Sequence, residues 1–259
     1  MPKLAANLTM MYNEIDFLKR FNLASKSGFK GVEYLFPYEF NKQNIAEELL
    51  SNDVKQILFD LPAGNWDQGD RGVAVDPERK SEFQDGVFLA LEYADVLDCS
   101  RLTCLAGISP SGNSDSLARS TLVENLNFAA PILSQKDIKL LIEPINTIDI
   151  PGYWLNRTSD AISIIKEVDH ENLFLQYDIY HMQIMEGNLA KTIEENLKFI
   201  GHFQLADNPG RNEPGTGEIN YNYLLKHIDD LGYKEWIGCE YKPISGTLEG
   251  LKWSKPYLR

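Results

Sequence analysis

The chain has 259 residues, 43% hydrophobic and 11% aromatic, enough for one large α/β barrel or two ordinary domains with a sizeable core. Its 38 acidic against 25 basic residues give a formal charge of −13, which disfavours nonspecific nucleic-acid binding and adsorption to anionic membranes. No run approaches the roughly eighteen apolar residues of a membrane span. MPKLAANLTMMYNE lacks the features of a secretory signal, and Cys99, Cys104 and Cys239 show no zinc-type pairing and read as buried thiols of a cytoplasmic protein.

From the N-terminus onward, strands are expected at 4–8 (LAANL), 31–36 (GVEYLF), 55–61 (KQILFDL) and 101–107 (RLTCLAG). Four more follow at 139–143 (KLLIE), 173–178 (LFLQYD), 200–206 (IGHFQLA) and 236–241 (WIGCEY). These runs are largely continuous rather than alternating, as parallel strands covered on both faces should be. Helical spacing appears between them. Residues 14–27 carry Ile15, Leu18, Phe21 and Leu23 before Gly28 stops the run, and 77–97 open at Pro77 and carry Phe83, Val87, Leu91 and Ala94. Residues 116–135 place Leu122, Leu126 and Ala129 on one stripe; 158–168 open with Thr158 or Ser159 as the expected cap, and 220–231 end at Gly232. Eight strand runs with helical stretches between them, and no linker, predict a single (β/α)8 TIM barrel over residues 1–259. The longest irregular stretches, 60–76, 107–115, 144–157 and 207–219, all follow strands, which puts them on the face where barrel enzymes hold substrate.

Four polar residues close four of these apolar runs: Glu143, Asp178, Gln204 and Glu240, at gaps of 35, 26 and 36 positions. Each gap is about one strand–helix unit, so a barrel gathers all four at one mouth. Two glutamates, an aspartate and an amide oxygen form an all-oxygen set that suits a hard divalent cation; the plainer alternative is that polar residues simply cap strands. Glu143 and Glu240, on the fifth and eighth strands, are placed to flank one small ligand, with one carboxylate taking a proton from carbon and the other returning it nearby. Such a step next to a carbonyl develops enediolate charge, which a cation would stabilise. Metal coordination lowers a carboxylate pKa and burial raises it, so the protonation states stay open at this point.

His181, three residues past Asp178, is a candidate for gripping a substrate oxygen, against the alternative of an ordinary rim residue. His202, two positions before Gln204, shares the inward face one layer deeper. Arg211, in the loop after the seventh strand, is placed to pair bidentately with a substrate carboxylate, against a loop-anchoring salt bridge with Glu213. GTG at 215–217 is too short for a phosphate loop, and Ser109 and Cys104 lack a histidine partner for nucleophilic catalysis.

The motifs AANLTMMYNE, GVEYLFPYEF, LPAGNWDQGDRG, LLIEPIN, LQYDIYHMQIMEG, ADNPGRNEPGTGEINY and WIGCEYKP occur in this order along the whole chain. In them the sequence resembles the hydroxypyruvate isomerase family, part of the xylose isomerase-like barrel superfamily that also holds sugar epimerases and endonuclease IV-type enzymes. The resemblance implies interconversion of hydroxypyruvate and tartronate semialdehyde through an enediolate. It implies Glu143 and Glu240 as the catalytic pair, and Mg²⁺ or Mn²⁺ on Glu143, Asp178, Gln204 and Glu240. His181 and Arg211 match positions that contact substrate in related epimerases. The chain departs from some relatives at Phe59 and Asp60, where they carry His-Asn, and in the GRNEPG and GISPSG loops. Phe59 is also similar to a sister branch that isomerises 2-oxotetronate, a four-carbon acid, which stands as the alternative beside ketose 3-epimerisation. The expected partner is a small anionic hydroxy-oxo acid, with further copies of the chain in the case of a homo-oligomer; neither nucleic acid nor membrane is expected. A DNA-repair endonuclease is disfavoured by the −13 charge and by only four histidines, too few for a multi-zinc site. An idle barrel that only binds a metabolite is disfavoured by the intact four-residue cluster.

Overall fold

Eight short parallel strands pair in sequence order, and the last closes on the first. The computed structural model describes residues 2–258, so Met1 and Arg259 of the expected 1–259 span lie outside the described residues. The strands are β1 (Lys3–Asn7), β2 (Gly31–Glu33), β3 (Lys55–Asp60), β4 (Arg101–Cys104), β5 (Lys139–Ile142), β6 (Leu173–Asp178), β7 (Ile200–Leu205) and β8 (Trp236–Cys239). Around them run α1 (Phe17–Lys26), α2 (Lys42–Ser51), α3 (Lys80–Leu97), α4 (Asp115–Ser134), α5 (Thr158–Val168), α6 (Ile179–Met185), α7 (Leu189–Asn196), α8 (Tyr221–Asp230) and α9 (Thr247–Gly250). This is the expected (β/α)8 barrel. No helix among the described residues is long and apolar enough to cross a membrane.

Most strands end one to three residues before their apolar runs do. Beyond the last ladder bond the chain bends into the loops of the mouth, yet Leu105, Ala106 and Tyr241 stay buried there. The apolar run therefore reports burial, of which the paired stretch is only a part. The expected cap of α5 is corrected. Arg157 occupies the N-cap, and Thr158 is the first helical residue. Thr158 instead donates its backbone N–H and its hydroxyl, each over 2.8 Å, to the Glu186 carboxylate beyond α6. A carboxylate from a neighbouring element thus does the work of the local cap.

The barrel interior is apolar at the strand N-termini, where Ala5, Ile57, Leu58 and Leu141 pack with Phe174 and Trp236. Toward the mouth it turns polar, and each polar atom there needs a partner. Thr103 Oγ1 donates to Gln176 Oε1 at 2.6 Å, Gln176 Nε2 to Gln204 Oε1 at 2.7 Å, and Gln204 Nε2 to Glu33 Oε1 at 2.8 Å. His202 Nε2 lies 2.8 Å from Glu33 Oε2, both side chains being fully buried. Gly238 makes room for this carboxylate: a Cβ there would collide with both Glu33 oxygens.

Candidate active site

The strand ends converge at the mouth on a small cavity of about 90 Å³, lined by Glu143, His181, Gln204, Arg211 and Glu240 among others. A larger groove of about 570 Å³ lies at the opposite end of the barrel, where Lys55, Arg101 and Glu235 flank Trp236. Among the described residues no comparable set of carboxyls converges there, and barrel chemistry belongs to the strand C-terminal face.

Glu143 directly follows β5 and Glu240 directly follows β8, whose ladder is extended by Glu240 N–H donating to Leu205 O at 3.1 Å. Asp178 ends β6 and is at once the N-cap of α6, its Oδ1 accepting from the backbone N–H of Tyr180 at 2.8 Å and of His181 at 3.4 Å. That cap starts the helix, and its first turn delivers His181 to the site. One ligand atom from each of Glu143, Asp178, His181 and Glu240 lies within 4.8 Å of the others, and all four residues are buried.

Gathering carboxyls out of water raises their affinity for protons. Burial, then the charges of Glu240 and Asp178, holds Glu143 well above the usual carboxylate range. Burial also raises Asp178, although Arg211 and two backbone N–H groups oppose it. Glu240 is pushed up to about 8 by burial, with Arg211 as the main opposing influence. The asymmetry has a structural cause. Arg211 Nη2 lies 2.5 Å from Glu240 Oε2, and Asn7 Nδ2 donates to Glu240 Oε1 at 3.3 Å and to Glu33 Oε1 at 3.1 Å. The Glu143 carboxyl has no such partner among the described residues.

Burial, then the nearby Arg211 guanidinium, lowers the His181 pKa well below the usual value, so the ring is neutral. Its tautomer follows from Asn146. The Asn146 oxygen accepts from the N–H groups of Ile148 at 3.0 Å and Asp149 at 2.8 Å, which turns its NH₂ toward His181 Nδ1, 2.6 Å away. The 2.6 Å contact outweighs the longer approach of Arg211 Nη2 to Nε2 at 3.4 Å, so Nδ1 accepts and the ring proton sits on Nε2, 3.5 Å from Asp178 Oδ2. His181 thus presents a donor to the site rather than a lone pair for a metal.

All six residues expected at the site come together. Arg211 does not pair with Glu213, whose carboxylate accepts from Ile244 N–H at 3.1 Å. It spans Glu240, Asp178 at 3.8 Å and Asp149 at 3.7 Å instead, over the face of Tyr180. Gln204 reaches the mouth, but its amide oxygen is turned to Gln176. Asn7, Glu33 and Asn146 are additions that the sequence reading did not single out. The cluster is able to hold a cation: three carboxyls face one guanidinium, and Asp178 Oδ2 is buried without any hydrogen bond.

Residues 21–257 match the family model described as xylose isomerase-like TIM barrel. The chain is 50% identical to hydroxypyruvate isomerase of Escherichia coli (strain K12), over 99% of this chain and 100% of that one. It is 47% identical to 2-oxo-tetronate isomerase of Cupriavidus necator, over 100% of this chain and 99% of that one. A crystal structure described as AP endonuclease, family 2, from Brucella melitensis superposes with a TM-score of 0.98 at 43% identity, with both chains fully covered.

Proposed function

The chain belongs to the xylose isomerase-like TIM barrel family, and on that footing we propose that it is an isomerase interconverting hydroxypyruvate and tartronate semialdehyde. The observation that carries this reading is the pair of buried glutamates, one from the end of β5 and one from the end of β8, on a single small cavity. The reaction moves a proton from C3 of hydroxypyruvate to C2 through an enediolate, while the hydroxyl proton passes from O3 to O2. Glu240, held nearer ionisation by Arg211 and Asn7, suits the base that takes the C3 proton. Glu143, whose carboxyl has no hydrogen-bond partner among the described residues and whose proton affinity burial raises, suits the group that delivers a proton to C2. His181 donates through Nε2–H to a substrate oxygen, and Arg211 turns its guanidinium to the substrate carboxylate.

Glu143, Asp178, Gln204 and Glu240 are the residues we assign to a divalent cation, Mg²⁺ or Mn²⁺, with the unsatisfied Asp178 Oδ2 as the strongest sign that they fit one. Gln204 would join by giving up its bond to Gln176. Bound there, the ion supplies charge stabilisation for the adjacent oxygens as the proton leaves carbon. We assign the reaction to the cytoplasm, in keeping with three buried, unpaired cysteines. An endonuclease reading is set aside because a surface of net charge −13 opposes a polyanion.

The test is proton NMR of hydroxypyruvate in D₂O with the enzyme and Mn²⁺. Aldehyde formation and deuterium uptake at carbon are expected. Glu240→Gln should abolish both, whereas Glu143→Gln should lose aldehyde formation yet keep exchange at C3. Absence of both signals with the wild-type chain would overturn the proposal.

A further inference from the structure

Asp60, the last residue of β3, has a fixed backbone. Its N–H donates to Leu35 O at 2.8 Å and its carbonyl accepts from Tyr38 Oη at 2.6 Å. The residue is only 5% exposed, and it lines the same cavity as Glu143 and Glu240. Among the described residues no hydrogen-bond donor and no cation meets its carboxyl, and Leu35, Leu58, Trp66 and Leu105 are among the other residues that line the cavity. Burial, then the charges of Glu240 and Glu33, holds it well above the usual carboxylate range. A carboxyl that lines a cavity and has no partner in its wall is free to bond the occupant of that cavity.

The topology says which part of an occupant that is. In a closed ring of eight strands β3 stands opposite β7, and Arg211 comes from the loop after β7. A short acid with its carboxylate on Arg211 therefore runs toward Asp60 with its far end, passing between Glu143 and Glu240. We propose that Asp60 is a specificity residue that hydrogen-bonds the hydroxyl at the substrate end remote from the carboxylate. It selects hydroxylated monocarboxylates, since a second carboxylate at that end would stand among the carboxyls of Asp60, Glu143 and Glu240. This rests on the substrate orientation given above, with Arg211 taking the carboxylate.

The test is calorimetric titration of the full chain, with Mn²⁺ present, using acids that cannot enolise. Glycerate carries the terminal hydroxyl, lactate lacks it, and tartronate has a second carboxylate in place of the hydroxymethyl group. The wild-type chain should bind glycerate about tenfold or more tightly than lactate. Asp60→Ala should bring that ratio to within about twofold by weakening glycerate alone. The isosteric Asp60→Asn should keep the ratio and gain affinity for tartronate. A ratio unchanged in Asp60→Ala, an equal loss for lactate, or a ratio lost in Asp60→Asn with an unaltered melting temperature would each overturn the proposal. Turnover of hydroxypyruvate is read separately, so discrimination without turnover condemns the reaction assignment, and turnover without discrimination condemns the role of Asp60.

Discussion

The Asn146 amide nitrogen lies 2.6 Å from His181 Nδ1, while its oxygen is already taken by the backbone N–H groups of Ile148 and Asp149. A loop residue thereby fixes the proton on the imidazole nitrogen that faces the carboxyl cluster. Asn146→Asp should reverse the tautomer, since a carboxylate accepts from Nδ1–H and leaves Nε2 bare. We expect kcat for hydroxypyruvate to fall about tenfold or more, in the usual range for a neighbour that orients an imidazole. Asn146→Ala should cost less, because it removes the lock without imposing the wrong state. Steady-state kinetics check this, and a normal rate in Asn146→Asp would refute the donor role of His181.

Removing Arg211 should have two separable effects. Arg211→Ala should raise KM for hydroxypyruvate by roughly 10- to 100-fold, the usual scale for losing a buried charge partner. It also takes away the cation that opposes protonation of Glu240. The Glu240 pKa then rises, and the acidic limb of the kcat/KM profile should move to higher pH. Arg211→Lys should keep much of the profile while losing affinity, because an ammonium cannot form the paired bonds of a guanidinium. A pH profile unmoved in Arg211→Ala would show that Glu240 is not the base.

Stability of the chelated protein should depend on pH in a defined sense. Glu143, Asp178 and Glu240 all bind protons more tightly folded than unfolded. Their contribution is complete below the ordinary carboxylate range and is lost as pH rises through the folded values, near 8 for Glu240. The melting temperature in EDTA should therefore drop by several degrees or more, roughly, between pH 5 and pH 9. Neutral His181 works in the opposite direction, destabilising the fold as pH drops below the ordinary histidine value. Added Mn²⁺ should flatten the alkaline side; equal melting curves with and without it at pH 9 would remove the cation from the site.

Gly238→Ala tests the packing around Glu33. The added methyl would collide with both carboxylate oxygens in a space with no slack. Overpacking of this kind typically costs about 1–3 kcal/mol, and displacing a buried carboxylate from its partners adds to that. Urea unfolding should show the loss. Wild-type stability in the variant would mean that Glu33 has another place to go.

The strand ends were legible because Glu143, Asp178, Gln204 and Glu240 each close an apolar run at the interval of one barrel unit. His181 was legible one helical turn beyond Asp178, since the residue that ends the strand also begins α6. Glu33 was not. Its strand has three residues, it sits inside the apolar run GVEYLF, and its partners come from β1 and β7 with Gly238 of β8 making the space. Such a match exists only after the ring has closed. α2 was missed because only Ile45 and Leu49 of its ten residues are buried, too thin a stripe to stand out. The alternative that set Arg211 on Glu213 falls away because the carboxylate it meets, Glu240, is brought in from another strand, which sequence proximity does not reveal.

Asp178 divides one carboxylate between architecture and reactivity: Oδ1 holds the start of α6, and Oδ2 is left bare toward Glu240 and His181. The aim of the imidazole and the placement of the bare oxygen are consequently set by a single rotamer. Tuning one without disturbing the other is closed to point substitution at this position, so variation in substrate preference is free to accumulate on the walls of the mouth while its floor stays fixed.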